Sequence, residues 1–275
     1  ALRFEQYMEK KDFRDAFLSG ALEGPQTVFH LGACSSTTQM DLTYLEDNNL
    51  RYTQQLCEWS HSQGARFIYA SSAATYGDGE CGYVDDESKI HKLKPLNPYG
   101  QSKQDFDLWA RERDLFRDIV GLKYFNVYGP HEDHKGDMRS VINKAYSQIQ
   151  ASGRLQLFKS YRPEFKDGEQ NRDFIYVKDA VAVTLYFHDN PSISGLYNCG
   201  TGNARTWLDL GKAIFAAMDM APQIDMVEMP ESIRDRYQYH TEADTTKLRK
   251  NGYKKPFKTI EEGVDDYVRH YLSKR

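Results

Sequence analysis

Three short apolar runs, separated by stretches long enough for helices, most constrain this chain. Thr27-Val28-Phe29-His30-Leu31 ends at Gly32-Ala33, Arg66-Phe67-Ile68-Tyr69-Ala70 ends at Ser71-Ser72, and Ile119 to Asn126 runs on to Tyr128-Gly129-Pro130. Each reads as a buried strand. Between them, about Asp41 to Ser62 and Tyr99 to about Phe116 read as helices, the second offering Phe106, Trp109 and Leu115 to a core. Strands alternating with long helices imply an α/β fold with a parallel, doubly wound sheet. Such sheets bind ligands beyond the carboxyl ends of their strands. Gly32-Ala33-Cys34-Ser35, Ser71-Ser72 and Asn126 should therefore face one crevice, with the Tyr99 helix starting beside it.

After Pro130 the chain becomes polar and loop-rich to Arg172, with one helix expected around Met138 to Gln150. Asp173 to Val177 reads as a strand, Lys178 to about His188 as a helix, and Leu196 to Cys199 as a strand ending in a turn from Gly200 to Gly202. Two more helices are expected, Thr206 to about Met218, with Thr206 and Asp209 as a capping pair, and about Thr259 to Leu272. With 275 residues the chain can form one or two domains. The net charge of −4, with scattered basic residues, makes nucleic acid an unexpected partner. No apolar run nears the ~18 residues of a membrane span. Cys34, Cys57, Cys81 and Cys199 form no CxxC pair, so reduced thiols in a cytoplasmic protein are expected, not a disulfide framework or a metal site.

Tyr99 and Lys103 stand one helical turn apart and share a helix face. A free phenol has a pKa of about 10 and is a poor base at neutral pH. An adjacent ammonium favours phenolate, so Lys103 is expected to lower the Tyr99 pKa. A serine hydroxyl, Ser71 or Ser72, could bind the same substrate oxygen. The three groups would then move a proton on or off an alcohol. The spacing alone recurs by chance in many helices.

Gly32-Ala33, Ser71 to Gly77, Tyr99-Gly100-Gln101-Ser102-Lys103, Arg172 to Val177 and Asn198-Cys199-Gly200-Thr201-Gly202 occur in this order. Together they resemble the extended short-chain dehydrogenase/reductase family, many members of which modify nucleotide sugars. The resemblance implies a Rossmann sheet with a smaller, mixed α/β substrate-binding domain. Residues 1–130 and about 171–203 would form the dinucleotide-binding domain, and about 131–170 with 204–275 the nucleotide-sugar-binding domain. The family's Gly-rich fingerprint does not occur in the sequence. The first βαβ unit is therefore expected to be missing, and a chain lacking it is expected to hold dinucleotide poorly.

Gly32 to Thr38, Tyr124 to Pro130, His134-Lys135-Gly136, Arg236-Tyr237-Gln238 and Lys255 to Thr259 resemble the branch that inverts C6 of an ADP-activated manno-heptose for lipopolysaccharide core synthesis. That implies oxidation to a 6-keto intermediate and re-reduction from the opposite face, with NADP, NAD remaining open. Tyr99 and Lys135 would be the two acid/bases and Ser72 the partner of the reacting oxygen. Lys10, Leu31, Gly32, Ala33, Cys34, Ser35, Asn48, Lys103, Val127 and Lys135 would meet the cofactor. Asn126, Asp137, Lys144, Phe158, Lys159, Ser160, Tyr161, Arg172 and Tyr237 would meet the substrate. His131 stands where the family typically has Arg, and Lys144 where it has a substrate-binding His. The resemblance also implies a homo-oligomer without nucleic acid, membrane or metal. The alternatives are a nucleotide-sugar 4-epimerase or dehydratase, and a non-catalytic dinucleotide-binding protein.

Overall fold

The computed structural model describes residues 4–234 and 237–274, so Arg236 lies outside the described residues. Among the described residues nine strands form three sheets: β1 (Thr27–His30), β2 (Arg66–Ser72), β3 (Val120–Tyr124), β4 (Asn126–Tyr128), β5 (Leu155–Phe158), β6 (Asn171–Tyr176), β7 (Gly195–Cys199), β8 (Ala204–Thr206) and β9 (Ile224–Val227). The helices are α1 (Lys10–Leu18), α2 (Leu42–Leu45), α3 (Tyr52–Ser62), α4 (Pro98–Glu112), α5 (Val141–Ser152), α6 (Val177–Asp189), α7 (Trp207–Ala217), α8 (Glu231–Arg234), α9 (Thr246–Lys250) and α10 (Ile260–Tyr267).

The main sheet runs β1-β2-β3-β7 and is parallel throughout, as the strand–helix alternation predicts. Strand residues alternate between its two faces. Phe67 and Tyr69 pack with Phe106 and Ala110 of α4 and Leu56 of α3. Ile68, Val120 and Leu122 face Ala180, Val183 and Phe187 of α6 on the other side. Pairing His30 with Tyr69 and Ser72 with Tyr124 brings the carboxyl ends of β1, β2 and β3 to one edge.

Two expectations need correction. The strand expected over Ile119 to Asn126 breaks in two. Phe125 N donates to Cys199 O at 3.0 Å and Val127 N to Phe125 O at 2.9 Å. That three-residue turn diverts the chain into β4, which pairs with β6 in a second sheet, β4-β6-β8. The helix expected over Asp41 to Ser62 is interrupted by a π-turn, Glu46–Arg51, between α2 and α3. β5 and β9 form a third, two-stranded sheet, which pairs sequence segments too short and irregular to read as strands beforehand. It packs with α5, α7 and α10 around Leu155, Leu157, Leu210, Ile214 and Val264. The Thr206–Asp209 capping box forms, with Asp209 N on Thr206 Oγ1 at 3.0 Å and Thr206 N on Asp209 Oδ2 at 3.2 Å.

The segment 237–245 straps the sheets together. Asn171 N donates to Tyr239 O at 3.0 Å, Asp173 N to Thr241 Oγ1 at 3.3 Å, and Asn198 Nδ2 to Asp244 O at 3.0 Å. Among the described residues no helix is long and apolar enough to cross a membrane, and all four cysteines are free thiols.

Gly77 closes the 3-10 turn that follows β2, at φ +63°. A Cβ there would stand 1.9 Å from Lys94 O, on the loop leading to α4. Gly77→Ala therefore meets both a left-handed backbone and a backbone wall, and should cost about 2–4 kcal/mol in urea unfolding. A loss below 1 kcal/mol would show that the two loops part easily.

Candidate active site

Tyr99 occupies the first turn of α4, which Asn97 caps by accepting Gly100 N at 2.8 Å, with Pro98 at the first helical position. Ser72 is the last residue of β2. Its Oγ accepts Ala74 N at 3.1 Å, and its side chain faces the Tyr99 hydroxyl. Ser71 points the other way and donates to the buried Asp107 carboxylate at 2.8 Å. Alternation along β2 thus separates the two serines, and Ser72 is the one that meets Tyr99.

Lys103 lies below Tyr99 on the same face and is 4% exposed. Its Nζ donates to Ala70 O at 2.8 Å. Burial draws its pKa down to about 8, while Asp107 opposes that shift. Tyr99 departs from the sequence expectation. Its pKa is raised, chiefly by burial; the Ser72 hydrogen bond lowers it and the neighbouring Cys34 thiol raises it further. The Lys103 ammonium is committed to the β2 backbone, so desolvation governs the phenol instead.

Beyond β1 the backbone opens. Leu31, Gly32 and Ser35 are exposed, Ala33 and Cys34 half-buried, and a Cβ on Gly32 would meet nothing within 4 Å. The π-turn holds this stretch in place. Such a turn adds a residue to the helical cycle and brings Asn48 and Asn49, both buried, to the strand. Asn49 Oδ1 accepts Cys34 N at 2.9 Å, while its Nδ2 donates to Cys34 O and to Ser102 Oγ, each at 3.0 Å. Ser102 Oγ in turn donates to Tyr99 O at 2.8 Å. One carboxamide therefore sets the β1 loop against the Tyr99 turn. The family resemblance named Asn48 and not Asn49, whose role depends on the π-turn and gave no mark in the sequence. Lys10 Nζ donates to Asn48 Oδ1 from α1.

A second group gathers on the other side of the strap. Val141, Lys144, Gln148, Leu157, Phe158, Trp207 and Tyr237 line a cavity of about 470 Å3. Arg172 is buried with its guanidinium 5.7 Å from the Trp207 ring centre and 5.1 Å from that of Tyr237. It donates to Asn171 O at 2.8 Å and to Gln238 O. No carboxylate among the described residues pairs with it. Its neighbour Asp173 accepts Thr201 N, Thr201 Oγ1, Gly202 N and Ala243 N instead. A buried, unpaired guanidinium favours an anion. Trp207 gave no signal beforehand, since at a helix start it reads as ordinary core.

Other expected residues lie apart. Lys159 pairs with Glu228 at 2.6 Å, Ser160 N donates to Asp167 Oδ1 at 2.8 Å, and Tyr161 bonds Glu228 under the Arg234 guanidinium. Asn126 is exposed and Val127 half-buried in β4. Lys135 and Asp137 are exposed on a 3-10 turn (Asp133–Met138) that kinks at Gly136, φ +55°. Lys144 Nζ donates to Asp137 O at 3.2 Å. The Lys135 side chain thus stands in solvent, with no described segment covering this turn.

A parallel Rossmann sheet with this hydroxyl–phenol–ammonium group at its carboxyl edge defines a nucleotide-dependent α/β enzyme. The chain belongs to the NAD dependent epimerase/dehydratase family, whose model matches residues 7–200. It is 52% identical over 272 residues to the ADP-L-glycero-D-manno-heptose-6-epimerase of Nitratidesulfovibrio vulgaris strain DP4, covering 98% of this chain and 84% of that one. The crystal structure of the Helicobacter pylori ADP-L-glycero-D-manno-heptose-6-epimerase is similar with a TM-score of 0.78 and 27% identity, covering 94% of this chain and 75% of that one. The UDP-N-acetylglucosamine 4-epimerase of Methanobrevibacter ruminantium M1 gives 0.81 at 26% identity, covering 96% and 82%. The fold alone thus does not separate these activities.

His30, at the end of β1, is 7% exposed, and its Nε2 lies 2.8 Å from Thr53 Oγ1. Thr53 Oγ1 donates to Asn49 O at 2.5 Å, so the imidazole Nε2–H is the donor in the pair. Burial, aided by the charge of Lys103, depresses its pKa from 6.5 to about 3. The unfolded imidazole takes up a proton below about 6.5 and the folded one only near 3. Stability is therefore full above that window and falls as pH drops through it. From pH 7 to 5 the wild type should lose about 2 kcal/mol more than His30→Gln in urea unfolding. Equal losses would show that the folded imidazole titrates normally.

Proposed function

We propose that this protein inverts C6 of an ADP-activated manno-heptose, with NADP rather than NAD, in the supply of lipopolysaccharide core precursors. The observation carrying the enzymatic reading is the placement of Ser72, at the carboxyl end of β2, beside the buried Tyr99 phenol, with Lys103 anchored on Ala70 O below them. The substrate comes from the names of the relatives, and the unpaired Arg172 next to an apolar cavity suits a nucleoside diphosphate.

The residues present fit a nicotinamide dinucleotide: open backbone at Gly32, exposed Leu31, and polar Lys10, Asn48 and Lys103 around one crevice. When bound, that group supplies removal and return of hydride at the carbinol carbon. In this reading Leu31, Gly32, Ala33, Cys34, Ser35 and Val127 line its path, and Lys103 and Asn48 bind it. Ser72 donates a hydrogen bond to the reacting oxygen and Tyr99 exchanges its proton on one face. Burial favours the neutral phenol and Ser72 the phenolate, so the hydroxyl can both hold and release a proton. Lys135 serves the opposite face, which requires the turn around Gly136 to close over the bound sugar. Asn126, Asp137, Lys144, Phe158 and Tyr237 hold the sugar and nucleoside, Arg172 the diphosphate, and Lys159, Ser160 and Tyr161 the rim. Residues 1–130 with about 171–203 form the dinucleotide half, the remainder the sugar half. The protein acts as a cytoplasmic homo-oligomer, a setting in which its four free thiols are at home.

Incubation with NADP and ADP-D-glycero-D-manno-heptose, with C6 configuration read by NMR, tests this. Inversion is expected; no inversion, with turnover of a UDP- or dTDP-hexose instead, would assign the site to another sugar. Tyr99→Phe and Lys135→Met should each lower kcat by about 100-fold or more. A variant that keeps near-full epimerisation removes that residue from the proton-transfer role.

A further inference from the structure

Directly beneath the Ser72–Tyr99 contact lies a fully buried ion pair outside the roles assigned above. Asp107 follows Lys103 by one turn of α4, and Lys123 comes from β3; both side chains are 0% exposed, with Nζ 2.7 Å from Asp107 Oδ2. Asp107 Oδ1 accepts the Tyr69 hydroxyl at 2.7 Å and Oδ2 the Ser71 hydroxyl at 2.8 Å. Lys123 Nζ donates to Thr75 Oγ1 at 2.6 Å and lies 5.1 Å from the Tyr76 ring centre. Thr75 Oγ1 donates to Ser72 O at 2.8 Å. The last three residues of β2 are thus each pinned separately. Lys103 holds Ala70 O, Asp107 holds Ser71 Oγ, and Thr75, itself held by Lys123, holds Ser72 O.

We propose that Asp107 and Lys123 are positioning residues: as a pair they fix the end of β2 so that Ser72 Oγ meets Tyr99 above the Lys103 that holds Ala70 O. A buried pair of this kind is a weak source of net stability, since desolvation offsets the attraction, but it fixes geometry wherever its remaining donors and acceptors are satisfied. Here the hydroxyls of Tyr69, Ser71 and Thr75 satisfy them. The charges acting with Lys103 are Asp107 on its own helix and the buried His30 from β1, and Tyr99 stands one turn above it on α4. Among these, Asp107 is the carboxylate, and it opposes the burial that draws Lys103 down to about 8.

The inference rests on the reading of Ser72, Tyr99 and Lys103 given above, and its test has an arm that needs neither substrate nor dinucleotide. Lysine 13Cε resonances of the whole protein are followed against pH, Lys103 being assigned by its loss in Lys103→Met. In Asp107→Asn the Lys103 midpoint should fall by about one pH unit or more. Ser71→Ala and Thr75→Val, which leave both charges in place, should lower kcat about 5-fold or more at unchanged KM. A folded Asp107→Asn with an unmoved Lys103 midpoint overturns the proposal, as does wild-type kcat in both hydroxyl variants. If Asp107→Asn does not fold, the hydroxyl variants decide. Failure of the wild type to act on ADP-heptose, with Lys103 shifting as expected, would sink the substrate assignment and leave this one standing.

Discussion

The Asp173 carboxylate is the interaction on which the arrangement of the sheets depends. It sits on β6 with no exposure and accepts two backbone N–H groups from the turn after β7, one from the 237–245 strap, and the Thr201 hydroxyl. Burial pushes its pKa up, and those four donors pull it back. The main sheet, the second sheet and the strap meet at this one side chain. Adjacent strand residues point to opposite faces, so Arg172 turns away from Asp173 and its guanidinium is buried against Trp207 and Tyr237 without a counter-charge among the described residues. The fold creates the anion preference by denying the cation its nearest partner.

Desolvation sets the electrostatics elsewhere too. Burial makes His30 neutral, weakens the charge on Lys103 and favours the neutral form of Tyr99. At a pKa of about 8 Lys103 still carries its charge at neutral pH, so each half of the site holds a buried cation, Lys103 at the strand ends and Arg172 on the cavity side. Surface pairs such as Lys159–Glu228 add little to this, being screened by water.

Much of the fold was legible in the sequence because strand ends and helix starts carry local chemical marks. Gly32-Ala33 and Ser71-Ser72 follow apolar runs, Asn97 and Pro98 mark the start of α4, and Thr206 with Asp209 marks α7. That the strand ends and the Tyr99 helix face one crevice followed from the strand–helix alternation, while the choice of Ser72 over Ser71 came from the family resemblance. What was not legible depended on partners distant in sequence. β5 and β9 stand as strands through their mutual pairing, and the break at Phe125 is fixed by Cys199 O. The downward shift expected for Tyr99 failed because spacing shows that Lys103 shares a face with it, not that the ammonium is held by Ala70 O. Lys135 likewise carries a motif whose sequence is silent on whether anything covers it.

The π-turn at Glu46–Arg51 bears on how this chain can change over evolutionary time. An α-helix usually tolerates sequence drift along its length, since any residue can take the place of its neighbour's backbone. Here one surplus residue in the helical cycle puts Asn49 on both backbone groups of Cys34. Deleting a residue from this segment would restore a regular helix and rotate the carboxamide away by roughly 100°. Length in this stretch is therefore as fixed as residue identity, and a gap here would be more damaging than most substitutions.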